Sequence, residues 1–243
     1  MTVSPEKQKA PRKKQKAEPV GFSCEHCKKT YVRESTLLSH VCEPKRRLME
    51  KDQKHVVFAF WAYNHFWKMN MYGAKERTYK DFMTSNVYTA YVRFGRYIMD
   101  INAINPKAYV DYLMKNKVKI DDWVKDSVYE RYIRELNTKE SADAAIQRTT
   151  MLMEEWAINT GKPWVDFFRE INPNQATSWI LSGRISPWVI YTANSSHEMF
   201  DRMSDEQLAL VHNYINPDFW KHRIKMHQTD VATIREIFDS VGI

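Results

Sequence analysis

Four side chains near the start of this 243-residue chain have the types and the spacing of a metal site. They are Cys24, Cys27, His40 and Cys42, and the three cysteines are all that the chain has. Two thiolates two residues apart can grip one ion. A histidine and a cysteine beyond a short hairpin and helix can close a tetrahedron around zinc. His26, between the first two cysteines, is another donor in reach, and is expected to face solvent instead. One geometric condition follows from Val41 alone separating His40 from Cys42. Residues two apart on a helix point about 200° apart, because each step turns about 100°. Both cannot face one ion from a continuous helix. The helix carrying His40 should therefore end near it, and Cys42 should reach the ion from a turn. Pro44 fits that break.

The residues around the ligands extend the pattern. Phe22 stands two before Cys24, Tyr31 follows Cys27 after three residues, and Leu37 stands three before His40. With them, residues 22–42 resemble the two-cysteine/two-histidine zinc finger, a ββα unit whose three apolar positions form its only core. Cys24, Cys27 and His40 match the family's first three ligands. The fourth departs, since the family leaves three to five residues before a second histidine. The resemblance implies bound zinc, a fold driven by the metal, and nucleic acid as partner, DNA before RNA. It also places Arg33, Ser35, Thr36 and Ser39 at the helix positions that face bases. Among these only Arg33 has a strong bidentate match, to guanine. One finger reads about three base pairs, so weak sequence preference is expected. The opposing reading is a zinc knuckle that only fixes the N-terminal part and touches no nucleic acid.

Charge supports a polyanion partner. The net charge is +7, but residues 1–50 hold twelve Lys/Arg against six Asp/Glu, and the other residues hold twenty-five against twenty-four. The excess is thus gathered around the cysteines, as expected for the part of a protein that meets phosphates. Its members are Arg12, Lys13, Lys14 and Lys16 in the tail, then Lys28, Lys29, Arg33, Lys45, Arg46 and Arg47. Residues 1–20 are polar, charged and proline-containing, and are expected to be a disordered basic tail. That tail serves as a nucleic-acid-binding arm, an import signal or a solubilising segment. With every cysteine assigned to metal, none is left for a disulfide, which suits a reducing intracellular compartment. That compartment would be the nucleus in a eukaryote or the host cytoplasm for a phage, whose AT-rich composition the Lys-, Asn- and Tyr-rich chain resembles. No apolar run long enough for a membrane span occurs.

The elements that must carry this head are helical. The fold class expected is mainly α, with a ββα zinc finger at 21–43 and an all-helical domain at 44–243. A soft boundary is expected near 159–163, where N-T-G-K-P interrupts the pattern. Pro44–Tyr72 reads as one long helix with Gly73 as its stop. Phe58, Trp61, His65 and Met69 on one row and Phe60, Tyr63 and Trp67 on another read mostly as core. Interleaved with bases they can also stack on single strands. Thr78 and Ser85 or Asn86 read as caps of the next helices, and Val87, Tyr91, Phe94, Ile98 and Ile101 as one buried face. Three Asn-Pro pairs, at Asn105, Asn172 and Asn216, should each start a helix. Asp121, Ser141, Ser195 or Ser196, Ser204 and Thr229 are the other expected caps, with Gln207 completing a box at Ser204. Residues 173–192 have the lengths of a helix-turn-helix. The second helix keeps too few polar residues to read bases, so the segment reads as packing.

Catalytic chemistry finds no foothold. Asp121-Asp122 and Glu154-Glu155 are acidic doublets of the body, and each reads as a helix cap or a solvated face. No Walker loop, nucleotide fingerprint or serine elbow occurs. The function expected is therefore a non-enzymatic, nucleic-acid-binding accessory protein that works largely through phosphates. The alternative is a protein-interaction or assembly factor with a purely structural zinc site, binding its partner through the helical domain or the C-terminal tail. Ile234, Ile237 and Phe238 near the C-terminus read as the packed edge of a last helix, or as a short docking motif.

Overall fold

The computed structural model describes residues 21–71 and 75–243. The chain divides into two compact units, the first ending at Gln53 and the second running Lys54–Ile243. The basic cluster at Arg12, Lys13, Lys14 and Lys16 lies outside the described residues.

In the first unit, β1 (Phe22–Ser23) pairs antiparallel with β2 (Thr30–Tyr31), placing Phe22 opposite Tyr31. Helices α1 (Glu34–Ser39) and α2 (Glu43–Met49) follow. His40 leaves the helix with φ −72° and ψ 123°, and Cys42 is the residue that opens α2, with Pro44 in its first turn. The expected break between His40 and Cys42 is present. The expected single helix from Pro44 to Tyr72 is not. It is cut after Met49, and α3 starts at Lys54 (Lys54–Asn70). Turn bonds from Lys51 N–H to the Leu48 carbonyl (3.4 Å) and from Gln53 N–H to the Glu50 carbonyl (3.0 Å) fill the gap. The residues between, E-K-D-Q, bring no apolar side chain to bury, so continuing the helix through them gains no packing.

The second unit is all helix: α3, α4 (Tyr79–Thr84), α5 (Tyr88–Asp100), α6 (Pro106–Lys115), α7 (Asp126–Lys139), α8 (Ala142–Thr160) and α9 (Phe167–Glu170). The chain continues through α10 (Pro173–Leu181), α11 (Pro187–Ile190), α12 (Ser196–Phe200), α13 (Asp205–Ile215), α14 (Pro217–Met226) and α15 (Gln228–Asp239). The helix starts follow local chemistry. Asn105, Asn172 and Asn216 each cap a helix that begins with proline, their side chains accepting N–H bonds. Thr78 with Asp81, and Ser204 with Gln207, form capping boxes, and Ser141 caps α8. Three expected caps fail. Neither Ser85 nor Asn86 caps α5, which opens after Val87 without a side-chain cap, Ser85 instead closing α4. Asp121 sits in a short 3-10 turn (Ile120–Asp122), because Trp123 just after it is drawn into the core. Helix α15 begins at Gln228 beside His227, so Thr229 lies inside its first turn.

The core is aromatic. Trp123, Trp188, Trp220, Tyr109, Phe82, Phe94, Phe167 and Phe168 are fully buried. The closest seam, α3 on α5, is made by small residues instead. Val56, Ala59 and Ala62 are buried, and a Cβ at Gly95 would fall 2.2 Å from the His55 carbonyl oxygen. Of the aromatic rows expected as core on α3, Tyr63 is buried, Phe58, Phe60, Trp61 and Trp67 flank the seam half-buried, and His65 is half-buried beside Trp61. Gly161, with φ +70°, ends α8 inside the expected soft boundary, and the unit stays compact across it. All four residues of α11 are buried, so the 173–192 segment is packing. Ile234 and Phe238 are buried in the body too.

A second stabilising device is polar. Glu140, at the end of α7, has its carboxylate in a bidentate pair with Arg148, one arm being Nη2 to Oε2 at 2.7 Å. Ser186 Oγ donates to the same carboxylate at 3.0 Å. Arg223, stacked on Trp188, Trp220 and Phe219, donates to the Glu140 and Thr138 carbonyls at 2.9 and 2.6 Å. Helices α7, α8 and α14 and the start of α11 thus meet at one buried residue, Glu140, through its carboxylate and its carbonyl.

Candidate metal centre

The first unit has almost no interior. Among residues 21–53 the only buried residue is Cys24. Phe22, expected as part of a core, is 38% exposed, and Tyr31 and Leu37 are half-buried. Apolar burial of this extent cannot hold thirty-odd residues in one conformation. Cohesion must come from elsewhere, and the four donors supply the place.

The Cys24 and Cys42 sulfurs lie 3.8 Å apart, and Cys27 Sγ lies 3.2 Å from His40 Nε2. All four donor atoms fall within 4.8 Å of one another. A tetrahedron with metal–sulfur bonds of about 2.3 Å has sulfur–sulfur edges of about 3.8 Å. The four groups therefore have the dimensions of a metal cage, and among the described residues they form the one such cluster.

Each donor is presented by local backbone. Cys24 and Cys27 sit on the turn between the strands, closed by Lys28 N–H to the Cys24 carbonyl and Cys24 N–H to the Lys29 carbonyl, both 2.9 Å. Lys28 makes that turn in the left-handed region, at φ 62°. The N–H of Cys27 points at the Cys24 sulfur, with that of His26 behind it. Together they draw the Cys24 thiol down to about 7 against the opposing effect of burial. Burial dominates at Cys42 and raises it, while the Lys45 N–H pulls the other way. The backbone thus favours the thiolate at Cys24 and burial disfavours it at Cys42.

Sequence reasoning gave Tyr31 a packing role and missed a polar one. Its hydroxyl lies 2.9 Å from His40 Nδ1. With Nε2 given to a metal, Nδ1 would carry the proton and donate to the phenol, which would fix the ring's tautomer and orientation. Burial raises the Tyr31 phenol, and the three nearby cysteines raise it further, so it stays a neutral partner. An aromatic residue in the second strand was visible in the sequence, but its contact with His40 depends on where the helix ends.

The expected nucleic-acid contacts fall into two groups. Lys28, Lys29, Arg33, Ser35, Thr36, Ser39 and Arg46 are exposed, although the Ser39 hydroxyl donates to the Thr36 carbonyl at 3.2 Å. Lys45 and Arg47 are half-buried and engaged. The Lys45 ammonium donates to the His40 carbonyl at 3.2 Å, and Arg47 pairs with Glu43. His26 faces solvent, as expected. In the acidic doublets, Asp121 pairs with Arg93 at 3.5 Å, Asp122 with Lys125 at 2.7 Å and Glu155 with Arg184 at 2.8 Å. No helix of the described residues is long and apolar enough to cross a membrane. No family model matches the chain, and neither does any curated protein or solved structure.

Proposed function

We propose that the chain is a zinc-dependent, non-catalytic nucleic-acid-binding accessory protein that meets DNA mainly through phosphates. Three thiolates and an imidazole in a tetrahedron suit zinc, a borderline-soft ion with no preference for another geometry. No open coordination position is left by four protein donors, which suits a structural rather than a catalytic ion. Three thiolates and one Zn2+ carry a net −1, so the metal adds no positive charge.

The observation that carries the reading is where the charge lies. Residues 21–53 hold seven Lys/Arg and five Asp/Glu, and residues 1–20 hold six and two. Most of the excess is in the tail that the metal unit carries, and little is in the unit itself. Lys45 and Arg47 have internal work, which weakens α2 as a phosphate surface. The metal unit then acts as an anchor for a basic arm, with Lys28, Lys29, Arg33 and Arg46 as its exposed neighbours.

Affinity of the zinc-loaded chain for a short DNA duplex should fall steeply and log-linearly with salt. Replacing Arg12, Lys13, Lys14 and Lys16 by Glu should abolish retention at moderate salt. Replacing Lys28 and Lys29 should weaken it less. Salt-independent binding, or full retention by the fourfold variant, contradicts the proposal. The engaged state of Lys45 and Arg47 favours a second reading, an assembly factor with a structural zinc unit. Pull-down of a protein partner that survives nuclease treatment and the fourfold substitution selects it.

A further inference from the structure

The helical body holds a cavity that nothing above uses. Its volume is about 480 Å3, within the range of small-molecule sites. Five rings line it: Tyr63, Phe66 and Trp67 from α3, Tyr91 from α5, and Trp123 after the 3-10 turn. They meet edge to face, Tyr63 with Trp67 and with Tyr91, and Tyr91 with Trp123. Arg77 covers one side of Trp67, and Phe66 is left 37% exposed at the mouth. Such walls accept a flat, polarisable guest.

The polar groups of the same cavity specify the guest further. Asn70, Asn86, Lys117 and Lys119 line it, and among the described residues no carboxylate does. In a body whose charges nearly balance, this is a local excess of cations. A second cavity of about 350 Å3 shares Lys117 and Lys119 and adds Arg131. Its one acid, Asp122, is already held by Lys125 at 2.7 Å. The wall between an aromatic cavity and a cationic one is thus two exposed lysines.

Lys117 carries an independent mark. It closes the end of α6 at φ 52°, with its N–H on the Met114 carbonyl (3.0 Å) and the Val118 N–H on the Leu113 carbonyl (2.9 Å). This is the left-handed position after a helix that glycine ordinarily fills, because a side chain there is strained. A lysine has been placed where the backbone prefers glycine, at the lip of a cavity short of anionic partners. Among the described residues the other non-glycine positions in this region are three asparagines and Lys28 in the turn of the cysteines, so in the body Lys117 is the one that is not asparagine.

We propose that this cavity is a nucleotide site. The base lies against Phe66 and Trp67, over a floor of the buried Tyr63, Tyr91 and Trp123. The Asn86 amide and the Asn70 carbonyl oxygen, whose NH2 is held by the Phe66 carbonyl at 2.8 Å, reach its polar edge, and its phosphate sits between Lys117 and Lys119. Stacking and phosphate contact of this kind serve a free mononucleotide and one unpaired residue of a single strand alike. The site lies wholly in the second unit and does not rest on the basic tail.

The test titrates the tryptophan fluorescence of the full, zinc-loaded chain at low salt. The probes are a nucleoside monophosphate, its nucleoside, a single-stranded pentanucleotide and the matching duplex. The monophosphate should saturate, and the nucleoside should bind about tenfold more weakly, the loss expected for one charge-assisted hydrogen bond. Lys119→Ala should weaken the monophosphate by a similar factor. Lys117→Gly should weaken it as much while raising Tm, because the turn relaxes as the cation is lost. A pentanucleotide that outcompetes the monophosphate identifies a single-strand site, and the reverse order a free-nucleotide site. The fourfold tail substitution should leave monophosphate binding unchanged, so this proposal and the phosphate-driven reading can fail separately. No saturable monophosphate binding, or wild-type affinity in Lys117→Gly, overturns it.

Discussion

The two units of this protein solve the same problem with opposite means. The body buries aromatic side chains along most of its helices and ties its middle at Glu140, whose carboxylate holds Arg148 and Ser186 and whose backbone carbonyl holds Arg223. The first unit buries Cys24 and nothing else among its described residues. One is held by area removed from water, the other by four donor atoms converging on a point. A short chain that cannot build a core can still be ordered if an ion supplies the missing free energy. On the proposed reading the first unit is conditional on metal, whereas the body has no comparable cluster among its described residues.

That contrast can be broken first at the metal. Cys42→Ser removes one donor and should leave residues 21–53 open to limited proteolysis at Lys28, Arg33 and Lys45, with the body uncut. This is the largest expected effect, since structural zinc sites contribute about 10 kcal/mol or more to folding. A matching blow to the body needs a buried charge. Glu140→Ala strands Arg148, whose side chain is 18% exposed, and should cost about 3–5 kcal/mol in a urea melt. The head's resistance to proteolysis should not change in that variant.

Paired aromatic deletions sharpen the comparison. Trp123→Ala, at a fully buried ring, should cost about 3–5 kcal/mol. Phe22→Ala, at an exposed ring in the first unit, should change metal-loaded stability by less than about 1 kcal/mol. Equal losses at the two sites would mean that the first unit has an apolar core after all. The smallest effect is at a cap. Asn172→Ala removes the acceptor for the Asn174 and Gln175 N–H groups and should cost about 1 kcal/mol, read as a small fall in Tm.

What could be read from the sequence was what is decided locally. Ligand spacing gave the Cys24, Cys27, His40 and Cys42 cluster, and the single residue between the last two gave the end of α1. Side-chain caps gave the starts of α6, α10, α13 and α14. Missed features all depend on partners distant in the chain. Nothing near Glu50–Gln53 announces that two units part there. The small seam of Ala59 and Ala62 is visible only once Gly95 is known to face α3. Glu140 looks like an ordinary acid at a helix end until α11 and α14 close over it. Lys117 was the exception, since a lysine where a helix should end in glycine is a local signal, and the K-N-K-V that follows α6 carries it.

The dependence of the first unit on metal is tested most directly by following amide exchange across the chain while titrating a chelator into reductively purified protein of known metal content. One equivalent of metal per chain is expected. Its removal should bring residues 22–49 to unfolded exchange rates while α3, α5 and α8 keep their protection. A protein without stoichiometric metal, or a first unit that stays protected after the metal is gone, would contradict the division between a metal-held head and a core-held body.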